Sequence, residues 1–298
     1  MFKFLTKYFL FFLSINLFVL LLFIIKFNII SESKSFIYKG DKVSFSEIDI
    51  AVFGHSQSQA GIDENIISKK LNLNTFNFSK TGIPLYYSTK KIEFFLKRND
   101  NIKIILELGT NNIGKFGSLK ELLSKKNSRR VKFLSENIFF LSYDELLFFA
   151  TDSPVDFYLS IYRSILKNPL NFEGSLNHKP NLNNVSKREN QVKNLVQEKW
   201  EWESVDFNFE KDKLKQLIAD KKNVTFKIVR LPEIEIYVKW HNNSEEYNLY
   251  VNELLKYKNV TFNDFIDQIS NPKYFRDYNH LSQDGKELFT LNFINYLQ

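Results

Sequence analysis

The chain has 298 residues, of which 44% are hydrophobic and 25% are charged, with a mean hydropathy of −0.28. This composition excludes a disordered chain and a multi-span membrane protein. The absence of cysteine excludes disulfides, thiolate zinc sites and cysteine nucleophiles, and four histidines do not favour an imidazole metal site. We therefore predict neither a metal nor a cofactor. Three lysines of the net charge of +7 lie within residues 1–30, and the remaining +4 does not indicate nucleic-acid binding.

An uncharged apolar stretch runs from Tyr8 to Ile25 near the N-terminus. With Phe4 and Leu5 it reaches the roughly 20 residues that a membrane-spanning helix needs. A cleaved signal peptide is the alternative, but no small-x-small cleavage triplet follows the stretch. A buried core helix of this length seldom lacks a polar stripe. The sequence therefore predicts an uncleaved signal-anchor in residues 1–30.

The rest of the chain alternates short apolar runs with amphipathic segments. Strands separated by helices imply a parallel sheet with right-handed crossovers. We predict one α/β domain over residues 31–298, with three α/β/α layers around a five-stranded parallel sheet. The predicted strands are 48–53, 75–78, 102–108, 224–231 and 260–262, and the predicted helices are 64–71, 86–98, 243–257 and 283–296. Asp63 is placed to cap the first of these helices.

About 110 residues separate the third and fourth predicted strands, far more than a crossover of about a dozen residues needs. We interpret residues 113–222 as an insertion or lid rather than an independent domain. Helical patterns occur at 119–123, 143–150 and 155–166, and an Asn-, Lys- and Pro-rich loop is expected at 168–190.

Polar residues follow the predicted strands where each strand ends, and ligands bind at the carboxyl ends of an open parallel sheet. The segments are Gly54-His55-Ser56, Thr81-Gly82, Gly109-Thr110-Asn111-Asn112 and Asp277-Tyr278-Asn279-His280. Together they offer a hydroxyl nucleophile, amide donors for an oxyanion, and an imidazole base with a carboxylate. These are the parts of acyl transfer.

The same residues also have alternative, purely structural interpretations. Ser56 is also placed to be a helix N-cap or a turn serine. His280 is placed to cap the terminal helix, and Asp277 to pair with Arg276. We interpret His55 as a residue that lines the wall of the site.

Other polar residues are interpreted as structural, or are given a functional role from their position alone. Arg230, just past the fourth predicted strand, is placed to reach an anionic substrate, and His178, on an expected loop, receives no role. A set of basic side chains on one predicted helix is expected to form a solvated face. Its members are Lys90, Lys91, Lys97 and Arg98.

The four segments, in this order and context, resemble the SGNH (GDSL-like) hydrolase superfamily over residues 48–112 and 224–298. Its Gly-Asp-Ser block is Gly54-His55-Ser56, its second glycine is Gly82, its Gly-x-Asn-Asp block ends at Asn111-Asn112, and its Asp-x-x-His block is Asp277 to His280. His55 and Asn112 depart from the pattern at positions outside the triad. The resemblance implies a flavodoxin-like SGNH fold.

The resemblance also implies site roles. Ser56 would be the nucleophile, His280 the base and Asp277 the residue that orients the imidazole. The amides of Ser56 and Gly82 and the side chain of Asn111 would hold the oxyanion.

The first block, in which His55 replaces the usual Asp, is similar to that of membrane-anchored SGNH-like proteins that modify envelope polysaccharides. This implies an esterase or O-acyltransferase acting on acyl, foremost acetyl, groups of cell-envelope glycan, with a multi-span acyltransferase as a candidate partner and no nucleic-acid partner. The alternative is a non-catalytic SGNH-like protein that binds polysaccharide or scaffolds an export or acetylation complex. Lysines on both sides of the apolar stretch leave its orientation open, but long domains translocate largely regardless of charge. We expect a single-pass membrane protein with an extracytoplasmic domain.

Overall fold

A computed structural model describes residues 2–109, 127–179, 208–239 and 244–298. It divides into two compact units. The first contains Met1–Lys42 and Leu122–Asn171, and the second contains Val43–Glu121 and Phe172–Gln298. The domain boundaries predicted at 30, 113 and 222 stay a prediction, and the helix predicted at 119–123 lies outside the described residues.

The strands are short, with two to five residues each. In chain order they are β1 (Ser35–Tyr38), β2 (Asp41–Ser44), β3 (Ile50–Phe53), β4 (Thr75–Asn77), β5 (Lys103–Glu107), β6 (Asn171–Phe172), β7 (Phe226–Arg230) and β8 (Val260–Asp264).

The helices lie close to the predicted ones where both are known. They are α1 (Phe2–Ser31), α2 (Ser56–Gly61), α3 (Glu64–Leu71), α4 (Leu85–Leu96), α5 (Asn127–Asn137), α6 (Tyr143–Asp152), α7 (Pro154–Ile165), α8 (Asn208–Asp220), α9 (Glu235–Val238), α10 (Ser244–Leu254) and α11 (Gln283–Leu297). Asp63 caps α3 as predicted, because its carboxylate accepts from the amides of Asn65 and Ile66.

The second unit is built on a five-stranded sheet in the order β4-β3-β5-β7-β8, and every neighbouring pair is parallel. Ile50 and Val52 of β3 belong to a core shared with α3 and α11. Phe53, whose side chain points to the other face, packs edge-on against Phe95 of α4 with ring centroids 5.5 Å apart. Helices therefore cover both faces, and the predicted α/β fold with a five-stranded parallel sheet is confirmed.

The basic face predicted on α4 is wrong at two positions. Lys90 and Lys91 are buried, whereas Lys97 is exposed. The helix α8, which lies in the predicted insertion, packs on α4. Lys91 lies over the ring of Phe172, and Lys90 pairs with Glu93 at 3.6 Å, so apolar stems are buried while both ammonium groups keep electrostatic partners.

The first unit contains the helices α1, α5, α6 and α7 and the strand β1. The segment Tyr8–Ser31 of α1 is the one helix in the described parts of the chain that is long and apolar enough to cross a membrane, a test that a signal sequence also meets. The C-terminal half of α1 packs on α7 and on the 3-10 turn Ile138–Phe140, where Phe23 stacks on Phe139. The ammonium of Lys26 donates to the carbonyls of Ser164, Ile165 and Lys167, which end α7.

Candidate active site

Ser56 follows the carboxyl end of β3, which lies between β4 and β5 in the sheet. The strand ends at Phe53, Gly54 turns the chain, and His55 occupies the N-cap of α2. Ser56 is therefore the first residue of the helix and not its cap. Its hydroxyl lies 2.7 Å from Nε2 of His280.

Asp277 and His280 lie on the tight loop that precedes α11. Oδ1 of Asp277 accepts from the amides of Asn279 and His280, at 3.2 and 3.1 Å, which fixes the loop. The same oxygen lies 2.8 Å from Nδ1 of His280. The capping position that the sequence leaves open to His280 is filled by Ser282, whose hydroxyl accepts from the amide of Gly285.

The structure thus brings Ser56 next to Asp277 and His280, which lie more than 200 residues later in the chain, with 2.7 Å and 2.8 Å between successive polar atoms. In the neutral imidazole of His280, Nδ1–H donates to Asp277 and Nε2 accepts from the Ser56 hydroxyl. This tautomer can take the serine proton. Both separations lie within hydrogen-bond reach, and the 2.7 Å between Ser56 and His280 lies within the roughly 2.6–3.2 Å that a nucleophile and its base require.

The structure describes only some of the predicted oxyanion donors. Gly82 lies on the exposed turn before α4 with a φ of +74°, a conformation that favours glycine. Asn111 and Asn112 lie outside the described residues. The donor roles of Ser56, Gly82 and Asn111 stay predictions.

Glu107 is a site residue that the sequence analysis missed. It is the last residue of β5 and is fully buried. Oε2 accepts from the amide of His55 at 2.8 Å, and Oε1 accepts from the amide of Gly109 at 3.0 Å. The carboxylate therefore ties the loop that carries Ser56 to the loop after β5. The available signal was one acidic residue in the apolar run 102–108, since unpaired buried carboxylates are costly.

Gly54 makes the close approach between these loops feasible. Its φ is +151°, and a Cβ there would lie 2.6 Å from Oγ of Ser58 and 2.7 Å from Cβ of Glu107. We expect Gly54→Ala to lower the free energy of unfolding by about 2–3 kcal/mol, because steric overlap adds to backbone strain. Urea unfolding measures this loss.

Gly40→Ala is the matched control for that measurement. Gly40 also has a positive φ, of +95°, but nothing lies within 4 Å of a Cβ there. The control should show only the strain of about 1 kcal/mol. Equal losses in the two variants would contradict the proposed close approach.

Two further histidines flank the triad residues. Burial, reinforced by nearby His280, lowers the pKa of His55 to about 4. Burial and the neighbouring guanidinium of Arg276 lower the pKa of His178 to about 4. The ring of His178, which received no role from the sequence, lies with its centroid 6.4 Å from that of His280, and its nitrogens contact Arg276 at 3.0 and 3.1 Å. Both rings are therefore neutral at pH 7.

These lowered pKa values predict a pH-dependent stability. In the unfolded chain each histidine titrates near its ordinary pKa of about 6.5, so unfolding takes up protons between pH 6.5 and 4. The free energy of unfolding should reach its full value above pH 6.5 and should decrease as the pH is lowered towards 4. His55→Gln should reduce the slope by up to about 1.4 kcal/mol per pH unit, since the His55 side chain makes no capping hydrogen bond that the change would remove. Urea unfolding at pH 7 and pH 5 measures it, and an unchanged slope in the variant would contradict the assignment.

The expectation that Arg230 reaches an anionic substrate is wrong. It is the last residue of β7, it is buried, and its guanidinium lies 3.7 Å from Glu233 and 3.5 Å from Asp264. Glu233 also accepts from the side-chain amide of Gln57 in α2, at 2.9 Å. Arg230 therefore pairs with the buried carboxylate of Glu233, which contacts α2, and with the exposed carboxylate of Asp264. Within the described ranges, no cluster of three or more His, Asp or Glu side chains is arranged to hold a metal ion.

Comparisons with known proteins give limited matches. The model of a family of uncharacterised proteins matches residues 170–298, less than half of the chain. A comparison with curated proteins finds no significant match.

Solved structures with a similar fold include acylhydrolases and carbohydrate esterases. A proposed platelet activating factor from Streptococcus pneumonia is 16% identical, with a TM-score of 0.39 and 85% of each chain covered. A proposed acylhydrolase from Bacteroides fragilis is 10% identical, with a TM-score of 0.39 and coverage of 84% of this chain and 87% of that one. An acetyl xylan esterase from the rumen bacterium Butyrivibrio proteoclasticus is 11% identical, with a TM-score of 0.35 and coverage of 87% and 66%. No conclusion about this chain is drawn from likenesses at these values, and the proposal below rests on the geometry of the site.

Proposed function

We propose that this protein is a membrane-anchored serine esterase or O-acyltransferase that acts on acyl groups, foremost acetyl groups, of cell-envelope glycan. The observation that carries the proposal is the hydrogen-bonded series from Ser56 through His280 to Asp277, at 2.7 and 2.8 Å. The series lies at the carboxyl end of a parallel sheet, where such folds bind ligands.

The acylation step follows from this arrangement. Oγ of Ser56 attacks the acyl carbonyl carbon while its proton passes to Nε2 of His280, and Asp277 stabilises the resulting imidazolium. The tetrahedral oxyanion collapses, the bond to the leaving sugar oxygen breaks, and that oxygen takes the proton from His280. Ser56 then carries the acyl group as an ester.

The second step returns the enzyme to its starting state. Water or a second sugar hydroxyl attacks the acyl-Ser56 carbonyl and gives its proton to His280, and the Ser56 oxygen recovers that proton as the bond to the acyl carbon breaks. Water as acceptor makes the protein an esterase, and a sugar hydroxyl makes it a transferase. The proposed oxyanion donors are the amides of Ser56 and Gly82 and the side chain of Asn111, each of a kind worth about 10²–10³ in rate.

The proposed setting is the membrane surface. The apolar segment Tyr8–Ser31 of α1 would anchor the chain, with the α/β unit on the extracytoplasmic side. The SGNH resemblance and this anchor together support an envelope glycan as substrate and a multi-span acyltransferase as the partner that delivers acyl groups.

The proposal is tested with the full-length protein in detergent, supplied with p-nitrophenyl acetate and, separately, with an acetylated polysaccharide. We expect release of p-nitrophenol and of acetate above the buffer rate, and acetyl transfer when an unacetylated sugar is added to a transferase. A folded protein that binds the polysaccharide but turns over neither substrate would favour the non-catalytic scaffold instead.

A further inference from the structure

The helical hairpin formed by α6 and α7 in the first unit presents large apolar side chains outward. We call this surface the hairpin face. Its members are Leu147, Phe148, Val155, Tyr158, Leu159, Tyr162 and Leu166, all exposed.

The inner side of α7 is mainly polar. It buries Asp156, Ser160 and Ser164 together with one apolar side chain, that of Ile161, and α7 packs through this region on α5 and α1. The hydroxyl of Ser160 donates within the helix to the carbonyl of Asp156, and that of Ser164 to the carbonyl of Ile161. Small residues at the helix contact and large apolar ones outside are the pattern of helices packed within lipid, and the reverse of a water-soluble helix.

A second observation, independent of the hairpin face, concerns how far the covered residues of α1 lie inside its apolar stretch. Val19 and Phe23 are only 8% and 6% exposed, so folded protein covers them. Val19 lies seven residues before Lys26, the first charge after the apolar stretch, which places it about 10 Å inside the stretch at 1.5 Å per residue.

The stretch has no spare length that would leave these covered residues in water. The 18 residues from 8 to 25 are about 27 Å long, close to the ~30 Å of a hydrocarbon core, whereas residues 8 to 18 alone reach only about 16 Å. If α1 spans the bilayer, the parts of the unit that cover Val19 and Phe23 therefore enter it too.

We infer that the hairpin face is embedded in the lipid bilayer beside α1, at the boundary between headgroups and acyl chains. Helices of 10 and 12 residues are too short to span and suit an interfacial position. Tyr158 and Tyr162 have the amphipathic side chains that favour this level, and Arg163 is exposed and long enough to reach the headgroups. The inference rests on the membrane anchor of the proposed function and adds a second attachment to it.

The absence of native cysteine permits single nitroxide labels on the full-length protein in phospholipid vesicles. Phe148→Cys and Leu159→Cys report on the hairpin face, where the native side chains are 52% and 45% exposed. Phe18→Cys, at a position 60% exposed, reports on α1, and Leu249→Cys is the matched control at an exposed apolar position of the second unit, also 60% exposed. Circular dichroism of each labelled variant checks that it is folded.

The readout is the ratio of collisions with oxygen, which concentrates in hydrocarbon, to collisions with a water-soluble nickel chelate. We expect the ratio at Phe148 and Leu159 to exceed that at Leu249 about threefold or more and to approach that at Phe18. Ratios equal to the Leu249 value, with Phe18 in lipid, would overturn the hairpin inference and leave the anchor standing. Labels shielded from both reagents would also overturn it, because a protein partner or a second copy would then cover the face. An aqueous reading at Phe18 would overturn the anchor and, with it, the inference.

Discussion

Ser56→Ala should lower acyl-ester turnover by about 10⁴-fold or more, because it removes the only atom proposed to bond to the acyl carbon. The fold should survive. The Ser56 hydroxyl is directed at His280 and not at the backbone of α2, where His55 fills the N-cap, so the stability loss should not exceed about 1 kcal/mol. Initial rates with the best acyl ester found for the wild type, together with urea unfolding, measure both quantities.

Ser270→Ala is the matched control, because it removes an exposed hydroxyl in the same unit. It should retain wild-type turnover. His280→Ala should be nearly as inactive as Ser56→Ala, and the double variant no worse than either, because members of a triad act as a unit. Equal rates in the wild type and Ser56→Ala would contradict the nucleophile assignment.

Asp277→Asn should have the second largest effect, a loss of about 10²–10⁴-fold in kcat with a smaller change in KM. The amide oxygen can still accept from the backbone amides of Asn279 and His280, so the loop should keep its shape. What is lost is the negative charge 2.8 Å from Nδ1 of His280, which stabilises the imidazolium formed when Ser56 is deprotonated.

Asp267→Asn is the control for that change, because Asp267 is an exposed carboxylate near the same end of the chain. It should be as active as the wild type. An Asp277→Asn variant with full activity would show that the carboxylate supports the loop alone. A variant as inactive as Ser56→Ala would indicate that the position of the imidazole depends on the charge as well.

Much of the sheet could be predicted from the sequence because its strands are short apolar runs that end in glycine or polar residues. The runs ending at Gly54 and Gly109 became β3 and β5, and the polar residues after them mark the carboxyl edge. The proximity of Ser56 to Asp277 and His280 could be predicted from the order of the four segments and from the SGNH resemblance, although Asp277 lies 13 residues beyond the end of β8.

The buried charges could not be predicted in the same way. Lys90 and Lys91 lie on a helix whose sequence suggests a solvated face, but α8 packs on this helix and Phe172 lies under the ammonium group of Lys91, so both lysines are buried. Glu107 was overlooked because its two shortest hydrogen bonds come from backbone amides, which no side-chain motif records. The exposed apolar side chains of α7 likewise suggest contact with lipid only when they are considered together with α1, whose residues Val19 and Phe23 are covered by protein.

Covalent labelling of Ser56 tests the central claim most directly, because it requires neither the natural acyl donor nor the natural acceptor. The full-length protein is treated with a fluorophosphonate, which phosphonylates an activated serine, and its peptides are analysed by mass spectrometry. We predict one adduct, on Ser56, that is lost in Ser56→Ala and forms far more slowly in His280→Ala and Asp277→Asn. A folded protein that forms no adduct at Ser56, or forms it equally fast without His280, would contradict a nucleophile activated by this triad.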